Sequence, residues 1–384
     1  LYSCQNLEES YPMFDCMIVG AGPAGATAAY HLAKRGRSVA IVEQAALPRY
    51  KPCGGGVSPA IAEYFDFDLD PVISLKVNQL RYTWQLDDPV NVKLQEKQMF
   101  IVRRDSFDEF LVKQAQNQGA VLKDDTPVTG IEWKSDRWEL KTAKGAIEGR
   151  YLIAADGAKG PMAKWLKVKQ GKEKRAGILH ISGLTLEETP PLHFDFGSLK
   201  NGFIWNFPQN DGYAISATAF QGGDAKKLQE TLESYTQSSG IAQGGTVQYH
   251  EHSVRLWDGD RPLHTQNALV AGEAAQIVDP LSGEGIRPSI FSGVQAAEAI
   301  DRAIGGHGNA LETYTQTLSE QWGADMKWAA RISGVFYKFP KVSYRVGVKQ
   351  PAASRIMSKI LCGQLSYAEV AGAAIKQLGS GLFK

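Results

Sequence analysis

Asp15-Cys-Met-Ile-Val-Gly-Ala-Gly-Pro-Ala-Gly25 is a short apolar strand that runs straight into a glycine turn and opens a helix. Cys16 to Val19 reads as a buried parallel strand. Gly20 makes the tight turn, Gly22 lets backbone approach a pyrophosphate, and Gly25 lets the helix pack close to the strand. The helix from Pro23 to Arg35 aims its first amides at the phosphates. Ser38-Val-Ala-Ile-Val42 forms the next strand and Glu43 ends it, close to the spacing of about 20 residues at which a carboxylate meets ribose hydroxyls. An acid there favours a free 2′-hydroxyl over a 2′-phosphate. A glycine turn alone also serves packing, whereas strand, turn, helix, strand and acid in this order specify a nucleotide pyrophosphate site.

Working outward, 384 residues exceed the size at which one hydrophobic core keeps growing, so more than one lobe is expected. Hydrophobic content of 43% and charged content of 22% belong to an ordinary globular protein, and no apolar run approaches the roughly 18 residues of a membrane span. The stretch Leu1 to Glu9 lacks a basic start and an apolar segment, which argues against secretion, and Met13 is a candidate native start. Cysteines at 4, 16, 53 and 362 show no metal spacing and read as reduced thiols in a cytoplasmic compartment. The net charge of +1 conceals an uneven distribution: from Met326 to Ala368 there are eight Lys or Arg and no Asp or Glu, interleaved with Trp328, Phe336, Tyr337, Phe339 and Tyr344. Such a mixture suits peripheral contact with an anionic membrane, a solvated cationic helical face, or an acidic electron-donor protein. Nucleic acid fits poorly, because no recognition module is present.

The expected fold is α/β. A discontinuous Rossmann-like nucleotide lobe spans 13–75, 100–165 and 265–305, an inserted antiparallel-sheet substrate lobe spans 76–99 and 170–262, and 306–384 is a helical C-terminal region. Residues 76–85 and 90–102 read as paired antiparallel strands, Asp105 as the cap of a helix over 106–118, and 224–238 as a helix interrupting the sheet lobe. No second glycine fingerprint follows a strand, so one tightly held flavin nucleotide accounts for the pattern better than a departing nicotinamide.

Several motifs in this order resemble the FAD-dependent oxidoreductases built like p-hydroxybenzoate hydroxylase, and within them the geranylgeranyl reductase family. They are Gly20-Ala-Gly-Pro-Ala-Gly25 with Glu43, Lys51-Pro-Cys-Gly-Gly-Gly56, Arg104 before a helix, Ala155-Asp-Gly157, Gly202-Phe-Ile-Trp-Asn-Phe-Pro208, and Gly272-Glu-Ala-Ala-Gln-Ile-Val-Asp-Pro-Leu-Ser-Gly-Glu-Gly-Ile286. The resemblance covers nearly the whole chain. It implies an FAD lined by Gly20, Gly22, Ala24, Gly25, Glu43, Arg104, Val128, Asp156, Glu273, Gly283, Gly285 and Ile286, with Cys53, Gly54 and Gly56 beside its ring. One departure is Glu273, where the family carries Asp.

The same resemblance implies reduction of trisubstituted isoprenoid double bonds by reduced flavin, with NADPH or a reduced carrier such as ferredoxin as electron donor. Cys53 is the candidate catalytic residue, able to donate a proton, tune the flavin or contact substrate. Phe203, Trp205 and Phe207 are candidates for a greasy substrate passage, alternating along one strand face until Pro208 ends its pairing; ordinary sheet core is the competing explanation. The scaffold also serves flavin monooxygenases and halogenases, and a non-redox lipid-binding protein or cyclase is a third class. His250 and His252 share a strand face without a third ligand, so no metal is expected.

Overall fold

The computed structural model describes residues 13–218 and 225–373. The readings on Leu1 to Glu9, Cys4 and Asp224 lie outside those residues. Along the chain the elements begin with β1 (Phe14–Val19), α1 (Pro23–Lys34), β2 (Val39–Val42), β3 (Gly56–Val57), β4 (Ile73–Val77), β5 (Gln79–Trp84), β6 (Asp87–Lys93) and β7 (Met99–Val102). They continue with α2 (Arg104–Asn117), β8 (Val121–Lys123), β9 (Val128–Lys134), β10 (Arg137–Thr142), β11 (Gly145–Ala154), α3 (Met162–Trp165) and β12 (Lys174–Ser182). Then come β13 (Leu192–Phe196), β14 (Phe203–Gln209), β15 (Gly212–Thr218), α4 (Ala225–Ser239), β16 (Thr246–Val254), β17 (His264–Thr265) and β18 (Ala268–Val270). Helices α5 (Ile286–Ile304), α6 (Ala310–Leu318), α7 (Ala324–Lys338), α8 (Pro340–Ser343) and α9 (Pro351–Leu361) follow, with π-helical turns at Ser319–Gly323 and Tyr344–Val348.

The apolar runs of β1, β2 and β18 are buried, as strands covered on both faces must be. They form the parallel series β18-β11-β1-β2-β8, built from separated stretches of sequence. Helices α1 and α5 lie against each other beside this sheet. Their contact is set by Gly293, where a Cβ would lie 2.4 Å from the Ala24 carbonyl oxygen and 3.0 Å from Thr27 Cβ.

The second sheet, β16-β12-β15-β14-β13-β5-β6, is antiparallel except where β13 meets β5 in parallel. That parallel pair arises because the hairpin β5-β6 is supplied from before the sheet's other strands. The pairing expected between 76–85 and 90–102 is corrected in part: β6 pairs with β5, whereas β7 leaves for a separate three-stranded sheet, β3-β7-β4. The two faces of the large antiparallel sheet differ. Leu179, Ile181, Ile204, Ile215 and Ala217 pack with Leu228, Leu232 and Tyr235 of α4 as a small core of their own. Tyr82, Phe194, Phe196, Phe203 and Phe207 face the main core.

The cap expected at Asp105 is also displaced. Helix α2 begins at Arg104, with Arg103 in the flanking position, and Asp105 sits within the first turn, accepting from the Ser106 amide at 2.7 Å and pairing with Arg103. A carboxylate there suits the positive end of the helix dipole without closing it.

Because the close approach at Gly293 is to backbone, Gly293→Val is expected to cost roughly 3 kcal/mol in thermal or urea unfolding. Gly308→Ala, whose added Cβ meets nothing within 4 Å, is the control expected to change little.

Candidate active site

Five of the segments picked out in the sequence emerge at the same edge of the parallel sheet. Gly20 follows β1, Glu43 follows β2, the Thr126 turn leading to Val128 follows β8, Asp156 follows β11, and Gly272 and Glu273 follow β18. Carboxyl ends of parallel strands are where open α/β sheets bind ligands, since helix N-termini and loop amides converge there. An open concavity of about 510 Å3, lined by residues such as Tyr151, His264, Asn267 and His307, lies toward the opposite ends of β11 and β18. It belongs to a different surface.

The three glycines of the first turn differ in what surrounds them. Gly20 has φ +108°, and a Cβ on it would lie 2.3 Å from the Ala155 carbonyl oxygen; a Cβ on Gly25 would lie 1.9 Å from the Gly20 carbonyl oxygen. Gly22 has open space, with an Arg49 nitrogen as its nearest neighbour at 3.9 Å. Gly22 also precedes α1 without a side-chain cap, and Gly285 does the same for α5, so both first turns keep amides for an anion. Ala24 links the two regions, because a Cβ on Gly272 would lie 2.7 Å from the Ala24 methyl.

Glu43 is buried, and its Oε2 accepts the Ala21 amide at 2.8 Å, tying the end of β2 to the glycine turn. The Glu43 carbonyl accepts from Thr126 at 2.8 Å, which brings the Val128 segment alongside. Arg49 lies 3.4 Å from the Glu43 carboxylate and 2.9 Å from Asp108. Arg104 grips the same Asp108 with two bonds of 2.8 Å. Burial works against the charge of Arg104, but the Asp108 carboxylate prevails and holds the guanidinium well above its ordinary value, with Cys53 also beside it. Arg49 and Asp108 were missed in the sequence reading. Asp108 stands four residues after Arg104 on a helix, and that spacing was the available signal.

The Cys53 loop is bound into this group from two sides. Val102 donates to the Gly55 carbonyl at 2.9 Å, placing the loop against the strand that leads to Arg104. On its other side Gln209 donates to the Gly54 carbonyl at 3.2 Å, and the Phe207 ring covers Gly54 and Gly56 so closely that Cβ atoms there would lie 3.0 and 2.5 Å from ring carbons. Cys53 Sγ accepts the Gly55 amide at 3.4 Å and is half-buried. Phe207 continues into an aromatic face: its ring lies 5.6 Å from Phe194 and 6.3 Å from Trp205, which lies 5.5 Å from Phe203.

Two acids close the other end. Asp156 Oδ2 accepts the Met162 amide at 2.8 Å, while Oδ1 is buried without a partner, and burial pushes this carboxyl up to about 6. Glu273 is half-buried, and its Oε1 accepts the Arg255 amide at 3.2 Å. Burial raises its affinity for a proton, against the pull of Lys51, that amide and Arg104.

The loop from Ile277 to Gly285 is held from the C-terminal helices, which the sequence reading treated as a separate tail. Trp322 donates to the Ile277 carbonyl, Tyr337 to the Leu281 carbonyl, each at 2.8 Å, and Tyr367 to Asp279 at 2.7 Å. Asp279 in turn accepts from the Leu281 and Ser282 amides at 2.7 and 3.1 Å, so Gly283 and Gly285 are presented by a rigid turn. His250 packs against the rings of Tyr50 and His180, and among the described residues no group of three or more His, Cys, Asp or Glu is arranged to hold a metal ion.

These features fit FAD. A bare glycine face, two uncapped helix ends, a carboxylate at the ribose position and an orphaned acceptor on Asp156 are complementary to a pyrophosphate flanked by hydroxyl-bearing chains. A family model described as the FAD binding domain matches residues 13–321. The chain is 27% identical over 369 residues to an uncharacterized protein of Methanosarcina barkeri, covering 90% of this chain and 91% of that one. It is 27% identical over 320 residues to a digeranylgeranylglycerophospholipid reductase of Thermoplasma volcanium, covering 76% and 78%. Among solved structures, a geranylgeranyl bacteriochlorophyll reductase-like protein of Thermoplasma acidophilum superposes with a TM-score of 0.77 at 21% identity, covering 85% and 88%. The family match runs through every stretch that contributes to the carboxyl edge of the sheet, and the chain belongs to the FAD-binding domain family, as an FAD-dependent oxidoreductase.

Proposed function

We propose that the chain saturates carbon–carbon double bonds of geranylgeranyl-type isoprenoid lipids. The observation that carries this reading is the seating of Phe207 on Gly54 and Gly56, which joins a continuous aromatic face to the loop that borders Arg104 and the flavin-binding edge. The name of the Thermoplasma volcanium relative supports a polyprenyl lipid as the substrate class. A long apolar chain gains affinity mainly from buried area, at roughly 25 cal/mol per Å2 before association costs. Phe203, Trp205 and Phe207 supply that area and exclude water.

Glu43 would receive the ribose hydroxyls, the Gly22 and Ala24 amides the pyrophosphate, and the first turn of α5 the ring, with Arg104, Asp156 and Glu273 around them. FAD, when bound and reduced, supplies a hydride. An isolated alkene accepts hydride poorly, so the protein's own task is to hold a proton for the less substituted carbon and to shelter the tertiary positive charge that develops at the branched one. Cys53 Sγ is assigned the proton, and the faces of Trp205 and Phe207 the charge. Electrons arrive from NADPH or a reduced carrier without a second nucleotide fold to retain it, and residues 326–368 give peripheral contact with a membrane.

Under anaerobic conditions, the purified protein with chemically reduced flavin should reoxidise on addition of geranylgeranyl lipids, with product mass rising by two hydrogens per bond. If reoxidation requires oxygen, a monooxygenase or halogenase replaces this reading; if product forms with no net flavin oxidation, a non-redox cyclase does.

Two further outcomes address the cofactor residues. Glu43→Gln keeps an acceptor for the Ala21 amide but removes a charge-assisted bond to ribose, and is expected to weaken FAD binding about tenfold in a fluorescence titration. Asp156 has a folded-state value raised above the roughly 4 of an unfolded carboxyl, so its contribution to stability is present below that pH and lost as pH rises through about 6. In flavin-free protein, Asp156→Asn should therefore gain melting temperature relative to the parent between those pH values and hold the gain above them.

A further inference from the structure

Among the described residues, nine large apolar side chains are exposed, and five of them fall within one short segment: Ile332, Val335, Phe339, Val342 and Val346. Ile332 and Val335 lie one turn apart on α7, and Val342 and Val346 one turn apart across α8 and the second π-helical turn, with Phe339 at the non-helical break between the two pairs. Val335, Phe339, Val342 and Val346 are 63, 55, 58 and 66% exposed. A cation directly precedes four of the five, as Arg331, Lys338, Lys341 and Arg345, all exposed. Lys327 and Lys349, further out, are paired with Asp260 and Asp88, whereas among the described residues no carboxylate pairs with Arg331, Lys338, Lys341 or Arg345.

The opposite side of the same segment is buried in Ser333, Tyr337 and Tyr344. Phe336 lies 5.2 Å and Tyr344 5.9 Å from the ring of Phe196, and Tyr337 stacks at 6.3 Å from Phe203. One segment thus presents apolar tips and cations outward, and aromatic rings inward to the face assigned to substrate.

We propose that residues 331–346 dock on an anionic lipid bilayer, with Ile332, Val335, Phe339, Val342 and Val346 entering the acyl region and the four cations meeting lipid phosphates, so that the aromatic face behind them is brought to the membrane. The occupant follows from chemistry. Protruding aliphatic tips flanked by cations match an anionic interface, in which both are satisfied at once. A second copy of this chain is disfavoured because a two-fold contact would set the same cations against each other. An acidic protein would satisfy the charges but meet a stripe of four aliphatic residues with Phe339 as its single aromatic and no Met, poor in the anchors typical of protein interfaces. Delivery of substrate from the bilayer to the aromatic face rests on the isoprenoid reading above; the docking itself does not.

The test is co-sedimentation of the FAD-loaded full chain with vesicles of phosphatidylcholine alone or mixed equally with phosphatidylglycerol. Binding to the mixed vesicles should be at least about tenfold tighter and weaken with salt. The triple variant Val335→Asp, Val342→Asp, Val346→Asp and the triple variant Lys338→Glu, Lys341→Glu, Arg345→Glu should each lose about tenfold. Val121→Asp with Val247→Asp, exposed elsewhere, should bind like the parent, and melting temperatures should be unchanged throughout. Failure of the parent to bind mixed vesicles, or full binding by both triple variants, overturns the proposal, as does a parent dimer that either triple variant dissolves. Vesicle binding without alkene reduction would instead reject the isoprenoid reading while leaving the docking surface standing. Reduction of detergent-dispersed substrate without vesicle binding would do the reverse.

Discussion

The turn at Gly20 is the constraint on which the remaining architecture depends. Its backbone passes so near Ala155 that a Cβ would strike the carbonyl oxygen at 2.3 Å, and Gly25 comes equally near to Gly20 itself. Two glycines therefore set how closely β1, β11 and α1 approach, and α5 is brought in by a third at position 293. Once those distances are fixed, the ends of five parallel strands fall in one row and the first turns of two long helices converge on it. A nucleotide site follows from topology before any specific side chain is considered.

The charged residues are arranged so that the site is nearly self-compensating. Asp108 is wholly buried and is gripped by both Arg49 and Arg104, while Arg49 also approaches Glu43. Paired in this way, the guanidinium groups carry charge to the flavin edge at a tolerable desolvation cost, since each is hydrogen-bonded where it is buried. Asp156 and Glu273 lie in no such ion pair, and burial raises the affinity of both for a proton, against the pull of Lys51 and Arg104 at Glu273. A polyanionic cofactor is met by cations on one side and by acids whose ionisation burial disfavours on the other.

Much of this could be read from the chain because the decisive features are local. The glycine turn, the strands β1 and β2 and the positions of Glu43, Asp156 and Gly272 are encoded within short windows where spacing has steric meaning. What escaped depends on placement beyond those windows. The split of 90–102 between two sheets arises because β7 reaches back past the β5-β6 hairpin to β3 and β4, and the pairing of Arg49 with Asp108 joins residues of separate segments. Asp105 carries a capping residue type yet lies inside the helix, because Arg104 already has helical geometry. The supporting role of Trp322, Tyr337 and Tyr367 was hidden for the same reason: a hydroxyl or indole that donates to a distant carbonyl leaves no periodic mark.

That last arrangement bears on how the protein matures. The turn carrying Gly283 and Gly285 is fastened by a hydroxyl supplied about ninety residues later, from Tyr367 to Asp279. During synthesis the strands of the parallel sheet are complete once β18 has emerged, but the turn carrying Gly283 and Gly285 gains this fastening only after Tyr367 has left the ribosome. Whatever that turn binds is therefore met by a finished surface only at the end of translation.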